Sequence, residues 1–213
     1  MNCVILAAGY ATRLYPLTNN LPKALLRVNG KRILDYIFDD LKTIDEIDRY
    51  ILVSNHKFYD EFVNWKNEYD YNNLLNIEII DDGTIDNEHR LGALNDLNLV
   101  ALNCNVNDDV LVLASDNLTD FSIKKLVENF KQKDKSCVFK YYEPDVLKLK
   151  KSSILSVDEN DKINLMQEKP GEIFSNWCCP PFYLYKKDDF LKISDAINED
   201  CNADAPRIFC IMA

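Results

Sequence analysis

The sequence predicts an α/β fold, a mixed and mainly parallel sheet with helices on both faces, and three observations carry that prediction. Short apolar runs alternate with amphipathic stretches of helical period as far as Tyr142. The composition, 47% hydrophobic and 28% charged with only 5 Gly and 7 Pro, can fill a core and holds no linker. Beyond Tyr142 the alternation gives way to a hairpin pattern, so the sheet gains a second, antiparallel region.

Taken in order, Cys3–Ala7 is short and apolar, a buried strand stopped by Gly9. Ile33, Leu34, Ile37, Phe38 and Leu41 recur at helical period, predicting a helix over Arg32–Leu41. A strand follows over Tyr50–Val53, a helix over Phe58–Tyr69, a strand over Asn76–Ile80 and a helix over Arg90–Leu102. Asp109–Ala114, reading DVLVLA, is the fourth strand, Phe121–Lys133 the next helix and Ser136–Tyr142 the fifth strand. Ile154–Val157 and Lys162–Gln167 flank the turn-forming DENDK and predict the hairpin. Phe182–Tyr185 reads as a further strand and Asp188–Ile197 as a closing helix. No repeat or linker divides the chain, so 1–213 reads as a single domain, with a core over 1–142 and a second part over 143–213.

The formal net charge of −10 argues against nucleic acid as a partner, because an acidic chain gains little from counterion release. The seven cysteines are odd in number and form no CxxC pair, which disfavours a zinc site or a disulfide framework and favours reduced thiols. The opening NCVILAAG has no basic flank and is too short for a leader or a membrane span. The expectation is a cytoplasmic protein with no membrane partner. Oligomeric state is left open, a homo-oligomer included.

In open parallel sheets ligands bind at the carboxyl ends of the strands. That rule singles out the loops Ala7–Lys23, Ile80–Arg90 and Ser115–Asp120. In the first, Gly9–Arg13 can aim main-chain N–H groups at a phosphate. Thr12 adds a hydroxyl, Arg13 a planar fork of donors, and Lys23, stiffened by Pro22, a second cation. The loop is neither a Walker A sequence nor a GxGxxG. In the third, Asp116 stands just past a central strand, where one carboxylate plus phosphate oxygens and water suit Mg²⁺.

The string LAAGYATRLYPLTNNLPKALLRVNGK resembles the signature of sugar-1-phosphate nucleotidyltransferases, close to LAAGxGTRLxPLTxxxPKxLxxVxGKP. Ala11 replaces the second glycine and Arg32 the final proline. If position 11 needs a positive φ, alanine there costs of order 1 kcal/mol. The resemblance implies the Rossmann-like fold of nucleotide-diphospho-sugar transferases, with a β-hairpin subregion on the sugar side. The 1–142 part would hold the nucleotide and the 143–213 part the acceptor. A sugar-phosphate oxygen would attack the α-phosphorus of a nucleoside triphosphate and pyrophosphate would leave. Arg13 would hold the leaving pyrophosphate and Lys23 would bridge the phosphates of both substrates, the two catalytic positions. Leu6, Ala7, Ala8, Gly9, Tyr10, Ala11, Thr12 and Arg13 would line the nucleotide, with Asp116 beyond them.

The family's remaining motifs map unevenly. Asp116, in SDN for the family's GDN, and Asp204, in Asn202-Ala203-Asp204-Ala205-Pro206, would bind the metal, Mg²⁺. Around the base the family has a GTAGAL- or GLAQA-like segment; here His89-Arg90-Leu91-Gly92-Ala93-Leu94 stands there, with His89 where a glycine is expected. Arg90 and Gly92 are the candidates for nucleotide contact. Glu168, Lys169 and Pro170 match EKP, a sugar-phosphate motif, and Ser153 stands where a glycine usually faces the sugar. Pro180-Pro181 replaces a TG-like pair. The family continues past DAPG, whereas Arg207 replaces that glycine and the sequence closes on RIFCIMA, so a shortened acceptor side is expected.

The sequence thus predicts Mg²⁺-dependent transfer from UTP or dTTP to a sugar 1-phosphate. One rival is a cytidylyltransferase for phosphocholine or a similar small phosphate, against which the EKP motif argues. The other is a catalytically weak nucleotide-binding or regulatory module, motivated by the altered acceptor side.

Overall fold

The computed structural model describes residues 1–199, and Asp204 with the NADAP segment lies outside them. Its strands are β1 Asn2–Leu6, β2 Arg27–Val28, β3 Lys31–Arg32, β4 Arg49–Ser54, β5 Ile77–Asp81, β6 Val110–Ala114, β7 Cys137–Val138, β8 Tyr141–Tyr142, β9 Ser153–Val157, β10 Ile163–Glu168, β11 Trp177–Cys178 and β12 Phe182–Tyr185. The helices are α1 Ile33–Leu41, α2 Tyr59–Tyr69, α3 Ala93–Asn103, α4 Ile123–Lys133, α5 Val146–Leu149, α6 Lys187–Phe190 and α7 Ile193–Glu199. Three short 3₁₀ turns complete the set, at Thr12–Leu14, Lys23–Leu25 and His56–Phe58.

The main sheet has the order β5-β4-β1-β6-β12-β7. Its first four strands are parallel, and β12 enters antiparallel between β6 and β7. β1 at the centre is nearly all apolar because both its faces are covered. Val4, Ile51, Val53, Val110 and Val112 point to one core cluster with α3; Cys3, Ile5, Tyr50, Leu52, Leu111 and Leu113 point to the other, with α1, α2 and α4. This alternation is the period-two consequence of the pleat. On α1 the predicted stripe Ile33, Leu34, Ile37, Phe38 and Leu41 is fully used, and Phe38 packs 4.8 Å from the buried Trp65 of α2.

A second, four-stranded sheet has the order β10-β9-β11-β8. Its hairpin β9–β10 is the one predicted from DENDK. Leu155 and Met166 bury one face of it in the cluster beneath α3. Trp177 is part exposed and meets Tyr142 of the same sheet edge-on at 5.6 Å.

Two expectations are corrected. Ser136–Tyr142 is not one strand: β7 pairs in the main sheet and β8 in the small one. The closing helix breaks at Leu191-Lys192 into α6 and α7. Beyond residue 142, β12 returns to the main sheet. The chain crosses between sheets twice, at Phe139-Lys140 and at Cys179-Pro180-Pro181, and Phe139 N donates to Phe182 O where the crossings meet. The two prolines sit in that crossing, where no ladder donor is required. Among the described residues no helix is long and apolar enough to cross a membrane.

Candidate active site

Because β5, β4, β1 and β6 run parallel and adjacent, their carboxyl ends share one edge, and the three loops singled out by sequence start there. The phosphate loop is tied down at its root. Ala7 N donates to Val53 O at 2.8 Å, and Ser115 N donates to Leu6 O at 3.0 Å. Asn55, fully buried after β4, donates through Nδ2 to Ala8 O (2.9 Å) and accepts from Phe58 N (3.0 Å). Beyond that anchor the N–H groups of Gly9, Tyr10, Ala11 and Thr12 donate to no acceptor among the described residues. Four consecutive unbonded donors at a sheet mouth could serve as an anion cradle.

The left-handed residue of this loop is Ala11, at φ 48° and ψ 41°, not Gly9. A Cβ in that region costs of order 1 kcal/mol. The conformation is held by two donors on its carbonyl: Thr18 Oγ1 at 2.9 Å, from a fully buried side chain, and Leu14 N at 2.9 Å. Thr12 and Arg13 begin the 3₁₀ turn that follows, both exposed.

Lys23 reaches the site from a second turn. Pro22 (φ −65°, ψ 148°) precedes it, and Ala24 and Leu25 are buried just behind. Its Nζ lies 2.8 Å from Oδ2 of Asp116, and each side chain is 37% exposed. Asn117 Nδ2 donates to the other oxygen of Asp116 at 2.9 Å. Two of the three predicted charges therefore meet. Arg13 stands on the loop they border, with no ion pair among the described residues. No group of three or more His, Cys, Asp or Glu side chains is arranged to hold a metal ion among the described residues. One half-exposed carboxylate suits Mg²⁺, which takes its other ligands from phosphates and water.

The loop after β5 is linked to the phosphate loop. Thr84 donates its N–H and its hydroxyl to Oδ1 of Asp82, both at 2.7 Å. Its single proton is thereby committed, so the Tyr10 hydroxyl, 3.1 Å away, is the donor to Thr84 Oγ1. The side chain of Tyr10 is thus a buried tie between loops. Burial foremost, and then the charge of Asp81, raises the Asp82 carboxyl above its ordinary range. His56, exposed at the end of β4, holds Asp81 at 2.6 Å, and that hydrogen bond raises its imidazole. Gly92 caps α3 at φ 84°, ψ 156°, a conformation favouring glycine. Gly83, at φ 79°, is the other positive-φ glycine of this loop, and neither stands at His89. Arg90 donates to the carbonyl of Asn87 on its own loop at 3.2 Å.

On the small sheet, Glu168 and Ser153 are directly opposed across β9 and β10. Lys169 Nζ lies 2.6 Å from Glu168 Oε1, and Lys169 itself has φ 45°. These three predicted residues are thus together, but no side-chain contact joins them to Lys23 or Asp116 among the described residues. Sequence reasoning missed Asn55, Thr18 and Thr84. Asn55 and Thr84 flank predicted strand ends, which was the available signal; Thr18 had none.

Comparison with known proteins shows the family. The nucleotidyl transferase family model matches residues 2–208. A Sulfolobus acidocaldarius protein named as a mannose-1-phosphate guanyltransferase is 31% identical over 193 residues, covering 91% of this chain and 50% of its own length. The chain therefore spans half the length of that relative. A Haloferax volcanii UTP–glucose-1-phosphate uridylyltransferase is 25% identical over 185 residues, covering 87% of this chain and 72% of its own. A solved Bacillus anthracis structure named as a glucose-1-phosphate thymidylyltransferase superimposes with a TM-score of 0.77 at 23% identity, over 92% of this chain and 75% of that one, a likeness of fold. With a family match over nearly all its length, the chain belongs to the nucleotidyl transferase family.

Proposed function

We propose that this chain transfers a nucleotidyl group from a nucleoside triphosphate to a sugar 1-phosphate, releasing pyrophosphate and forming a nucleotide-sugar. The observation that carries the reading is the Lys23–Asp116 pair, 2.8 Å apart beside a loop with four unbonded main-chain donors. An oxygen of the sugar phosphate bonds to the α-phosphorus as the bond from that phosphorus to the bridging oxygen breaks, and pyrophosphate carries away the electron pair. The reaction needs positioning and charge compensation more than covalent help from the protein. The cradle at Gly9–Thr12 binds phosphate oxygens, Arg13 neutralises the leaving pyrophosphate, and Lys23 spans the two substrates. Asp116 would hold Mg²⁺, with Asp204 as its second expected ligand; the ion would supply Lewis-acid charge compensation at the phosphates. Glu168 and Lys169 receive the sugar phosphate, with Ser153 opposite.

The names of the relatives, which cover guanyl, uridylyl and thymidylyl transfer to hexose 1-phosphates, support the acceptor class more than any one base. UTP or dTTP is the donor we favour, on the resemblance to glucose-1-phosphate thymidylyl- and uridylyltransferases. The test is pyrophosphate release from each NTP with Mg²⁺, a panel of sugar 1-phosphates and choline phosphate, with chelator controls. Release with a sugar 1-phosphate supports the proposal. Release with choline phosphate alone, or triphosphate binding with no turnover under any combination, overturns it.

A further inference from the structure

A cavity of about 400 Å³ opens between α1, β6, β12 and the segment that leads from Asp116 into α4. That volume lies within the range of small-molecule pockets. Its apolar lining is Ile37, Leu113, Ile123 and Phe182, all buried. Its charged lining is acidic: Asp40 of α1 and Asp120 of the loop after β6 border it, and no Lys, Arg or His does. Neither carboxylate has an ion pair or a side-chain hydrogen bond among the described residues. Lys31, 4.4 Å over the ring of the lining Tyr36, is held by Asp39. An apolar wall and two unpaired acids in one cavity suit an amphipathic cation, whose tail covers the wall and whose ammonium answers the acids. Nucleotides, sugar phosphates and carboxylates carry the wrong sign for it.

We infer that this cavity binds a small alkylammonium ion, and that the bound ion steadies Asp116. Asn117 supplies the link, because it lines the cavity and donates through Nδ2 to Oδ1 of Asp116 at 2.9 Å. On the other wall, α1 packs against the 3₁₀ turn that carries Lys23. An ammonium paired with Asp40 and Asp120 ties α1 to the segment after β6, and so holds Asp116 where Lys23 reaches it. The binding half stands on the cavity alone; the regulatory half rests on the nucleotidyl-transfer reading.

The test of the binding half is calorimetry on the whole chain with butylammonium, butan-1-ol and butyrate at equal ionic strength. Butylammonium should bind at least tenfold more tightly than its neutral and anionic isosteres. Asp40→Asn and Asp120→Asn, each checked for folding by circular dichroism, should each weaken it at least threefold, and Asp116→Ala should weaken it less than either. Absence of butylammonium binding, butan-1-ol binding as tightly, a Kd unmoved in both asparagine variants, or the largest loss in Asp116→Ala overturns the inference. In the pyrophosphate assay, saturating butylammonium should raise turnover at least twofold in the wild type and not in the Asp40→Asn, Asp120→Asn double variant. Turnover that does not respond in the wild type overturns the regulatory half alone. No turnover with any NTP and acceptor overturns the nucleotidyl-transfer reading and the regulatory half together, while the binding result stands.

Discussion

The ammonium of Lys23 stands 2.8 Å from the carboxylate of Asp116, joining two loops 93 residues apart in sequence. Both side chains are more than a third exposed, so the pair adds little stability, about 0–1 kcal/mol. On the proposed reading its role is chemical. Asp116→Ala should lower turnover by at least ~100-fold, the order expected for removing charge compensation at a transferring phosphate. The unfolding free energy should move by less than about 1 kcal/mol. Pyrophosphate release and denaturant melts of the same preparation check both; turnover within threefold of wild type would remove Asp116 from the site.

On the proposed reading, the Lys23 ammonium and a divalent cation compete for the Asp116 carboxylate. Lys23→Met should therefore tighten Mn²⁺ binding to the substrate-free protein, by about fivefold or more, given the repulsion of one removed charge. Isothermal titration reads this without turnover. Unchanged or weaker binding would mean that ion and ammonium do not compete.

Ala11 adopts φ 48° where the family signature has glycine. Ala11→Gly relieves the Cβ but loosens the unfolded chain, so the net gain should be about 0.5 kcal/mol. Ala11→Val, β-branched in the same conformation, should cost more than about 1 kcal/mol. Urea midpoints of the three proteins, falling in the order glycine, alanine, valine, check the assignment.

Asn55 satisfies a buried carbonyl and a buried N–H at once, from Ala8 and Phe58. Asn55→Ala strands both and should destabilise by roughly 2–4 kcal/mol. Because Ala8 is the root of the cradle, the Kd for tripolyphosphate should also rise; a destabilised variant with unchanged Kd would show that the tie serves folding only.

Burial in the first turn of α3 raises the Asp96 carboxyl, which gives a signed pH dependence. The native state keeps its proton up to about 7, whereas an unfolded aspartate loses its own near 4. Between those values the native state binds the extra proton, so this contribution to stability falls as pH rises from about 4 to about 7 and is level above. The swing is on the order of 4 kcal/mol at most. Asp96→Asn should flatten it, read as the difference in urea midpoint between pH 5 and pH 8.

Much of the fold was legible because its strands are apolar runs and its helices carry a periodic stripe. Ile33 to Leu41 placed α1 to within one residue. The hairpin β2–β3 was missed although Asn29 and Gly30 (φ 51° and 82°) are a strong turn pair, because its strands are only two residues each. The split of Ser136–Tyr142 was not legible, since both halves are extended and only pairing partners tell them apart. The Lys23–Asp116 meeting followed from strand order. The tie through Asn55 did not, because its partner is a main-chain carbonyl that carries no sequence signature.

The paired crossings at Phe139-Lys140 and Cys179-Pro180-Pro181 make residues 140–180 a cassette that is entered and left at neighbouring points. A graft spliced at those two joints would exchange the whole β8–β11 sheet while leaving every ladder of the six-stranded one, and the cradle at its mouth, unbroken. On the proposed reading, altering which acceptor is used and altering which nucleotide is used are then separable engineering problems.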